Sequence, residues 1–190
     1  MDFNKEAMHP ARTITVIALA VLLSAATAFA QAETPLKVGD SAPSFTLPSA
    51  TRDSIGFSGV RLADILGKNV IILAFYPADW SGGCTKEMCS MRDSFGDLAG
   101  LGATVYGISG DYVFSHFEWA KHLNLPFTLL SDHTHDVARA YRSYNPQSGY
   151  NLRTVYVIGR QGTIAYIDLG YKSGSADSFD RLKEAVRTLR

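Results

Sequence analysis

The 190-residue chain contains 46% hydrophobic and 19% charged residues, enough apolar material for a folded core and too little charge bias for a disordered protein. Its 18 basic and 18 acidic side chains balance, which argues against a surface for nucleic acid or for an anionic membrane. With only two cysteines, Cys84 and Cys89, the chain is neither a disulfide scaffold nor a carrier of a four-ligand zinc motif.

The first thirty residues have the pattern of a secretion signal. Two basic residues precede the apolar segment of residues 14–23, and an A-x-A cleavage pattern ends at Ala30. We predict a signal peptide over residues 1–30, cleavage after Ala30, and an exported, periplasmic mature chain of residues 31–190. Acidic residues ahead of the apolar segment leave an uncleaved membrane anchor as the alternative.

The mature chain alternates between strand and helix patterns. An irregular entry segment over residues 31–44 precedes two short edge strands near 45–47 and 57–62, and the unbroken apolar run that follows predicts a strand buried on both faces. The predicted elements from that point are a strand at 69–76, a helix at 84–99, a strand at 103–109, a helix at 112–123, a strand at 127–130, a helix at 137–141, a hairpin of strands at 154–158 and 163–167, and a C-terminal helix bearing Phe179, Leu182, Val186 and Leu189. A β-α-β-α half followed by β-β-α predicts a single α/β domain with the thioredoxin-like fold, a central mixed β-sheet flanked by helices.

The stretch that follows the buried strand is the candidate site. Pro77 ends the strand, Ser81 opens a glycine-rich turn, and Cys84 falls in the first turn of the next helix. Open α/β sheets place their active sites at the carboxyl ends of their strands. Unpaired N–H groups and the positive end of the helix dipole favour a thiolate at such a position, so we predict that Cys84 is a nucleophile.

The same stretch resembles a known family. Residues 77–84, PADWSGGC, match the peroxiredoxin active-site pattern P-x-x-x-[T/S]-x-x-C. The longer run FYPADWSGGCTKEMCSMRD is similar to the peroxiredoxin Q (bacterioferritin comigratory protein) branch of the alkyl hydroperoxide reductase/thiol-specific antioxidant family. Further similarity lies in YGIS from Tyr106, LPFTLLSD from Leu125 and RTVYVIG from Arg153, so that the resemblance covers roughly residues 36–190.

The resemblance implies a thiol-dependent peroxidase that reduces hydrogen peroxide and organic hydroperoxides without metal, haem or flavin. Cys84 would be the peroxidatic nucleophile, the Ser81 hydroxyl would orient the peroxide, and Pro77 would shield the sulfur from water. Arg153 would stabilise the thiolate and the charge on the leaving oxygen. Glu87 would orient that arginine.

The second cysteine, Cys89, has three interpretations. The family resemblance implies a resolving cysteine that forms a disulfide with Cys84. Residues five apart in a helix have Cα atoms roughly 8–9 Å apart, and a disulfide needs about 7 Å or less, so we expect the first turns of the helix to unwind. The alternatives are an inert buried thiol and a permanent structural bridge, which would contribute only about 2 kcal/mol across so short a loop.

The resemblance also implies partners. A thioredoxin-like protein would reduce the disulfide, and a monomer is preferred because branch members with both cysteines on one helix are often monomeric. No nucleic-acid partner is expected, nor any membrane contact beyond the export signal. Two alternatives remain: a one-cysteine peroxidase resolved by an external thiol, and a non-enzymatic redox sensor or binding module.

Overall fold

A computed structural model describes residues 35–189, and the predicted signal peptide of residues 1–30 lies outside them. From Leu36 onward the chain forms one compact unit. The described elements are β1 (Thr46–Ala50), β2 (Ile55–Arg61), α1 (Leu62–Ile65), β3 (Val70–Phe75), α2 (Gly82–Asp93), α3 (Phe95–Gly100), β4 (Ala103–Ser109), α4 (Val113–His122), β5 (Thr128–Ser131), α5 (Asp136–Ala140), β6 (Tyr144–Asn145), β7 (Tyr150–Asn151), β8 (Thr154–Ile158), β9 (Ile164–Asp168) and α6 (Ala176–Arg187). None of these helices is long and apolar enough to cross a membrane.

A seven-stranded sheet in the order β2-β1-β5-β4-β3-β8-β9 forms the centre of the fold. The pairs β3–β4 and β4–β5 are parallel, whereas the remaining pairs are antiparallel, so the sheet is mixed as predicted. Strands β6 and β7 form a separate two-stranded ribbon. The β8–β9 pair is the predicted antiparallel hairpin.

The core lies on both faces of this sheet, and β3 shows why. Its side chains alternate between two apolar clusters, as the period of a strand requires. The cluster on one face includes residues of α2, α3, α4 and α6, and that on the other includes residues of α1 and α5. The six β3 side chains are all buried: Val70, Ile71, Ile72, Leu73, Ala74 and Phe75. The prediction of a strand buried on both faces is therefore confirmed.

The prediction of one helix over residues 84–99 is wrong in extent. The structure has two helices, α2 and α3, separated at Ser94, whose φ of −101° and ψ of 6° leave helical geometry. The apolar period hid this interruption, because Met88, Met91 and Leu98 remain buried in one cluster across a one-residue break. Helix α1 and the β6–β7 ribbon were not predicted, since a four-residue helix and two-residue strands are too short for a periodic signal.

Candidate active site

Cys84 lies at the start of α2, directly beyond the carboxyl end of the central strand β3. Ser81 is the N-cap of this helix: its backbone is extended, with φ −74° and ψ 142°, and its hydroxyl accepts a hydrogen bond from the Cys84 amide at 3.4 Å. Serine favours this position because its side chain satisfies an otherwise unpaired N–H group. The Ser81 hydroxyl also donates to the Ala78 carbonyl at 3.2 Å. Cys84 is fully buried at the positive end of the helix.

Arg153 lies just before strand β8, which neighbours β3 in the sheet, and its side chain contacts the Cys84 sulfur. Strand β8 runs antiparallel to β3 and pairs Thr154 with Phe75, so the residue just before β8 emerges beside the loop that follows β3. The Arg153 Nη2 atom lies 3.5 Å from the Cys84 sulfur. Gly83 leaves room for it, since a Cβ there would lie 3.3 Å from Nη2.

Glu87, one helical turn after Cys84, fixes the orientation of the guanidinium. Its side chain is fully buried, and one carboxylate oxygen accepts a hydrogen bond from Arg153 Nη1. The other oxygen, Oε1, is buried without a hydrogen-bond partner among the described residues. The acid, the guanidinium and the thiol thus form a chain of contacts in which Arg153 holds its positive charge against the sulfur.

The two remaining predicted site residues lie nearby without a bond to the sulfur. Pro77 is the second residue after β3, in the loop that leads to Ser81. Cys89 is half-buried against the core cluster that includes α2. Both cysteines are free thiols in one continuous helix, which corresponds to a Cα separation of roughly 8–9 Å.

A buried polar network beside the loop was missed by the sequence interpretation. Asp79 accepts hydrogen bonds from the Tyr76 hydroxyl at 2.8 Å, from the Ser115 hydroxyl at 2.7 Å and from His116 Nδ1 at 2.9 Å. Burial, reinforced by the Asp79 carboxylate, raises the pKa of Tyr76 well above its ordinary value, so the phenol keeps its proton and donates. The available signal was His116 itself, spaced at helical intervals from Val113 and Ala120 on the apolar face of α4.

The described residues contain no group of three or more histidine, cysteine or acidic side chains placed to hold a metal ion. The geometry places a buried thiol at a helix N-terminus, facing a guanidinium, at the end of a central strand. This arrangement on a mixed sheet defines a thioredoxin-like protein with a buried cysteine at a helix N-terminus.

Comparison with known proteins gives the family. The model of the AhpC/TSA family matches residues 38–167, and the chain belongs to that family. The chain is 41% identical over 132 residues to the chloroplastic peroxiredoxin Q of Oryza sativa subsp. japonica, which covers 68% of this chain and 57% of the rice protein. The chain thus spans little more than half of that relative. Similarity to the putative peroxiredoxin bcp of Coxiella burnetii, 38% identical over 138 residues, covers 70% of this chain and 87% of the relative.

Solved structures agree with this assignment. The peroxidoxin BcpB of Mycobacterium tuberculosis superposes with a TM-score of 0.70 at 29% identity, covering 82% of this chain and 99% of that one. A 2-Cys peroxiredoxin of Plasmodium vivax in the reduced state superposes with a TM-score of 0.71 at 26% identity, covering 80% and 98%. The predicted thioredoxin-like fold and the resemblance to the peroxiredoxin Q branch are confirmed.

Proposed function

We propose that this protein is a thiol-dependent peroxidase that reduces hydrogen peroxide and organic hydroperoxides through Cys84. The observation that carries the proposal is the Arg153 guanidinium 3.5 Å from a buried sulfur at the start of α2. The guanidinium and the helix end both stabilise negative charge at that sulfur. A thiolate is the form in which cysteine acts as a nucleophile.

In the first step the Cys84 thiolate attacks the terminal oxygen of the peroxide. A sulfur–oxygen bond forms as the oxygen–oxygen bond breaks, the sulfur supplies two electrons, and the leaving oxygen takes up a proton to depart as water or an alcohol. The product is a cysteine sulfenic acid. Arg153 stabilises the charge that develops on the leaving oxygen, while Ser81 orients the peroxide and Pro77 shields the sulfur.

In the second step the Cys89 thiol attacks the sulfenic sulfur: a sulfur–sulfur bond forms as the sulfur–oxygen bond breaks, and the hydroxyl leaves as water with the proton from the Cys89 thiol. Because the intact helix holds the two residues too far apart, the first turns of α2 unwind before this bond forms. Gly82 and Gly83 ease that motion. A thioredoxin-like dithiol then supplies two electrons, which restores both thiols and leaves the reductant as a disulfide.

Stopped-flow mixing of the reduced protein with hydrogen peroxide tests this function, with Cys84→Ser and Cys89→Ser as variants. We expect a fast fluorescence change that Cys84→Ser abolishes and a slower phase that Cys89→Ser abolishes. A slow phase that persists in Cys89→Ser would assign the alternative of a one-cysteine peroxidase resolved by an external thiol. A wild-type rate constant equal to that of free cysteine would refute the peroxidase and favour a redox sensor.

We further propose that residues 1–30 direct export and that cleavage follows Ala30, on the basic, apolar and small-residue pattern of that segment. N-terminal sequencing of the exported protein tests this, and a start at Met1 would contradict it. We propose a monomer as the working state, to be tested by light scattering of the reduced protein; a dimer mass would contradict it.

A further inference from the structure

Asp79 lies in the middle of the loop that bears Pro77 and Ser81, and its side chain is fully buried. A buried carboxylate is unfavourable unless hydrogen bonds compensate for its lost hydration. Here three donors surround it: the hydroxyls of Tyr76 and Ser115 and the ring nitrogen Nδ1 of His116. None of these groups has a part in the peroxide chemistry proposed above.

Backbone hydrogen bonds connect the buried Asp79 to Ser81. The Asp79 carbonyl accepts a hydrogen bond from the Ser81 amide at 2.8 Å. The Asp79 amide donates to Asp111 Oδ2, also at 2.8 Å. The position of the Asp79 peptide therefore determines where the Ser81 hydroxyl lies relative to Cys84.

Trp80, which lies between Asp79 and Ser81 in the chain, has a strained backbone. Its φ of 61° is in the left-handed region, which persists in non-glycine residues only where the surroundings enforce it. Ser115 contacts both this residue and its neighbour, since its hydroxyl accepts a hydrogen bond from the Trp80 indole at 3.2 Å and donates one to Asp79 at 2.7 Å. One hydroxyl on α4 thus holds two consecutive residues of the loop.

His116 anchors this arrangement to the sheet. Its Nδ1 faces the Asp79 carboxylate, and its Nε2 lies 3.2 Å from the Leu130 carbonyl in β5. The two ring nitrogens of His116 therefore bridge the Asp79 carboxylate and the backbone of β5. The loop is thereby tied to α4 and through it to a central strand.

We propose that Asp79 and Ser115 are positioning residues of the peroxidase. By fixing the strained loop they keep the Ser81 hydroxyl beside Cys84, where it orients the peroxide. Both residues act through Ser81 rather than on the sulfur. This inference rests on the proposed function, because it assigns a role in presenting the peroxide to the thiolate.

The test compares two reactions of the reduced protein, one with hydrogen peroxide and one with iodoacetamide. Iodoacetamide reports the reactivity of the Cys84 thiolate and does not require an oriented peroxide; Cys89→Ser serves as the background so that Cys84 alone reacts. In Ser115→Ala and Asp79→Asn we expect the peroxide rate constant to fall about ten- to a hundredfold, as for misplacement of a reacting group by about 1 Å. We expect the iodoacetamide rate constant to change by less than about twofold. We also expect acrylamide to quench the fluorescence of Trp80 more strongly than in the parent protein.

Three variants control for indirect effects. Glu118→Gln changes an exposed side chain on α4, the helix that carries Ser115, and Ser178→Ala removes a buried hydroxyl from α6. Neither variant should alter the ratio of the peroxide rate constant to the iodoacetamide rate constant. Ser115→Thr keeps the hydroxyl and should retain the peroxide rate.

Equal losses in both reactions would show that the network acts on the thiolate or on general stability, and would overturn the positioning role. Unchanged peroxide rates in both Ser115→Ala and Asp79→Asn would overturn it as well. A wild-type peroxide rate like that of free cysteine would instead refute the peroxidase itself, and that result is obtained before any variant is examined.

Discussion

Replacing Arg153 by glutamine measures what the guanidinium contributes to the reaction. Its Nη2 atom lies 3.5 Å from the Cys84 sulfur, close enough to stabilise the charge that moves from sulfur to the leaving oxygen. A hydrogen bond to a charged group contributes roughly 1.5–3 kcal/mol, and about 1.4 kcal/mol corresponds to a tenfold change in rate. We therefore expect the peroxide rate constant to fall by about 10- to 100-fold.

The same substitution leaves Glu87 buried without its cation. Removing one partner of a buried ion pair lowers the free energy of unfolding by about 3–5 kcal/mol. Because the Arg153 side chain is 23% exposed, water screens part of this effect and we expect the lower end of that range. In the double variant Glu87→Gln/Arg153→Gln no buried charge remains, so stability should largely recover while the peroxide rate stays low.

Stopped-flow fluorescence gives the rate constants, and urea unfolding gives the stabilities. Arg61→Gln is the matched control, since Arg61 is exposed and pairs with the exposed Asp64; surface pairs of this kind contribute about 0–1 kcal/mol. A peroxide rate in Arg153→Gln within about threefold of wild type, or recovery of the rate in the double variant, would refute the proposed role of the guanidinium.

Three further predictions concern the helix and the core. Ser81→Ala removes the N-cap of α2, so it should lower the unfolding free energy by about 1 kcal/mol and slow the peroxide reaction. Ser81→Thr should retain the stability and the peroxide rate of the wild type. An unchanged urea midpoint in Ser81→Ala would contradict this. Oxidation of Cys84 and Cys89 to a disulfide should unwind the start of α2 and expose the amides of residues 82–91 to hydrogen exchange. Each large apolar side chain that leaves the core should destabilise the fold by about 1.5–3 kcal/mol. Equal amide protection in the reduced and oxidised forms would exclude the unwinding. Burial raises the pKa of Tyr171 to about 12, so the folded state retains a proton that the unfolded state loses above about pH 10, and stability should fall as pH rises from about 10 to 12. Tyr171→Phe should make that decline shallower, and identical slopes by urea unfolding would refute the assignment.

The elements with long apolar runs followed directly from the sequence. Strands β4 and β8 begin and end at the predicted residues, since both are rich in the β-branched and aromatic residues that favour strands. Strand ends without such a pattern shifted: the strand predicted at 45–47 is Thr46–Ala50, and that predicted at 57–62 is Ile55–Arg61. The prediction of an edge position is wrong for the first of these, because β1 lies between β2 and β5, and of the two only β2 is at an edge of the sheet. The bounds of such short strands are specified by their pairing partners, which local composition does not reveal.

Within the site, the positions of Ser81 and Cys84 were also determined locally. A serine, two glycines and a cysteine between a buried strand and an amphipathic helix leave the cysteine in the first helical turn. The role of Ser81 as N-cap depends only on its hydrogen bond to the Cys84 amide, three residues further along the chain. Short-range hydrogen bonding of this kind is visible in the order of residues along the chain.

Arg153 and His116 belong to the other category. Without the family resemblance, local sequence makes Arg153 a strand-end charge and His116 a histidine on the apolar face of a helix. Only the antiparallel register of β8 on β3 brings Arg153 to the Cys84 sulfur, 69 residues away in sequence. Only the packing of α4 against the sheet brings His116 to Asp79, 37 residues away. Local sequence placed Cys84 in the first turn of its helix, because that position depends on neighbours along the chain. The contacts that surround the thiol come from the tertiary structure, because strand order and register are fixed by the burial of the whole sheet.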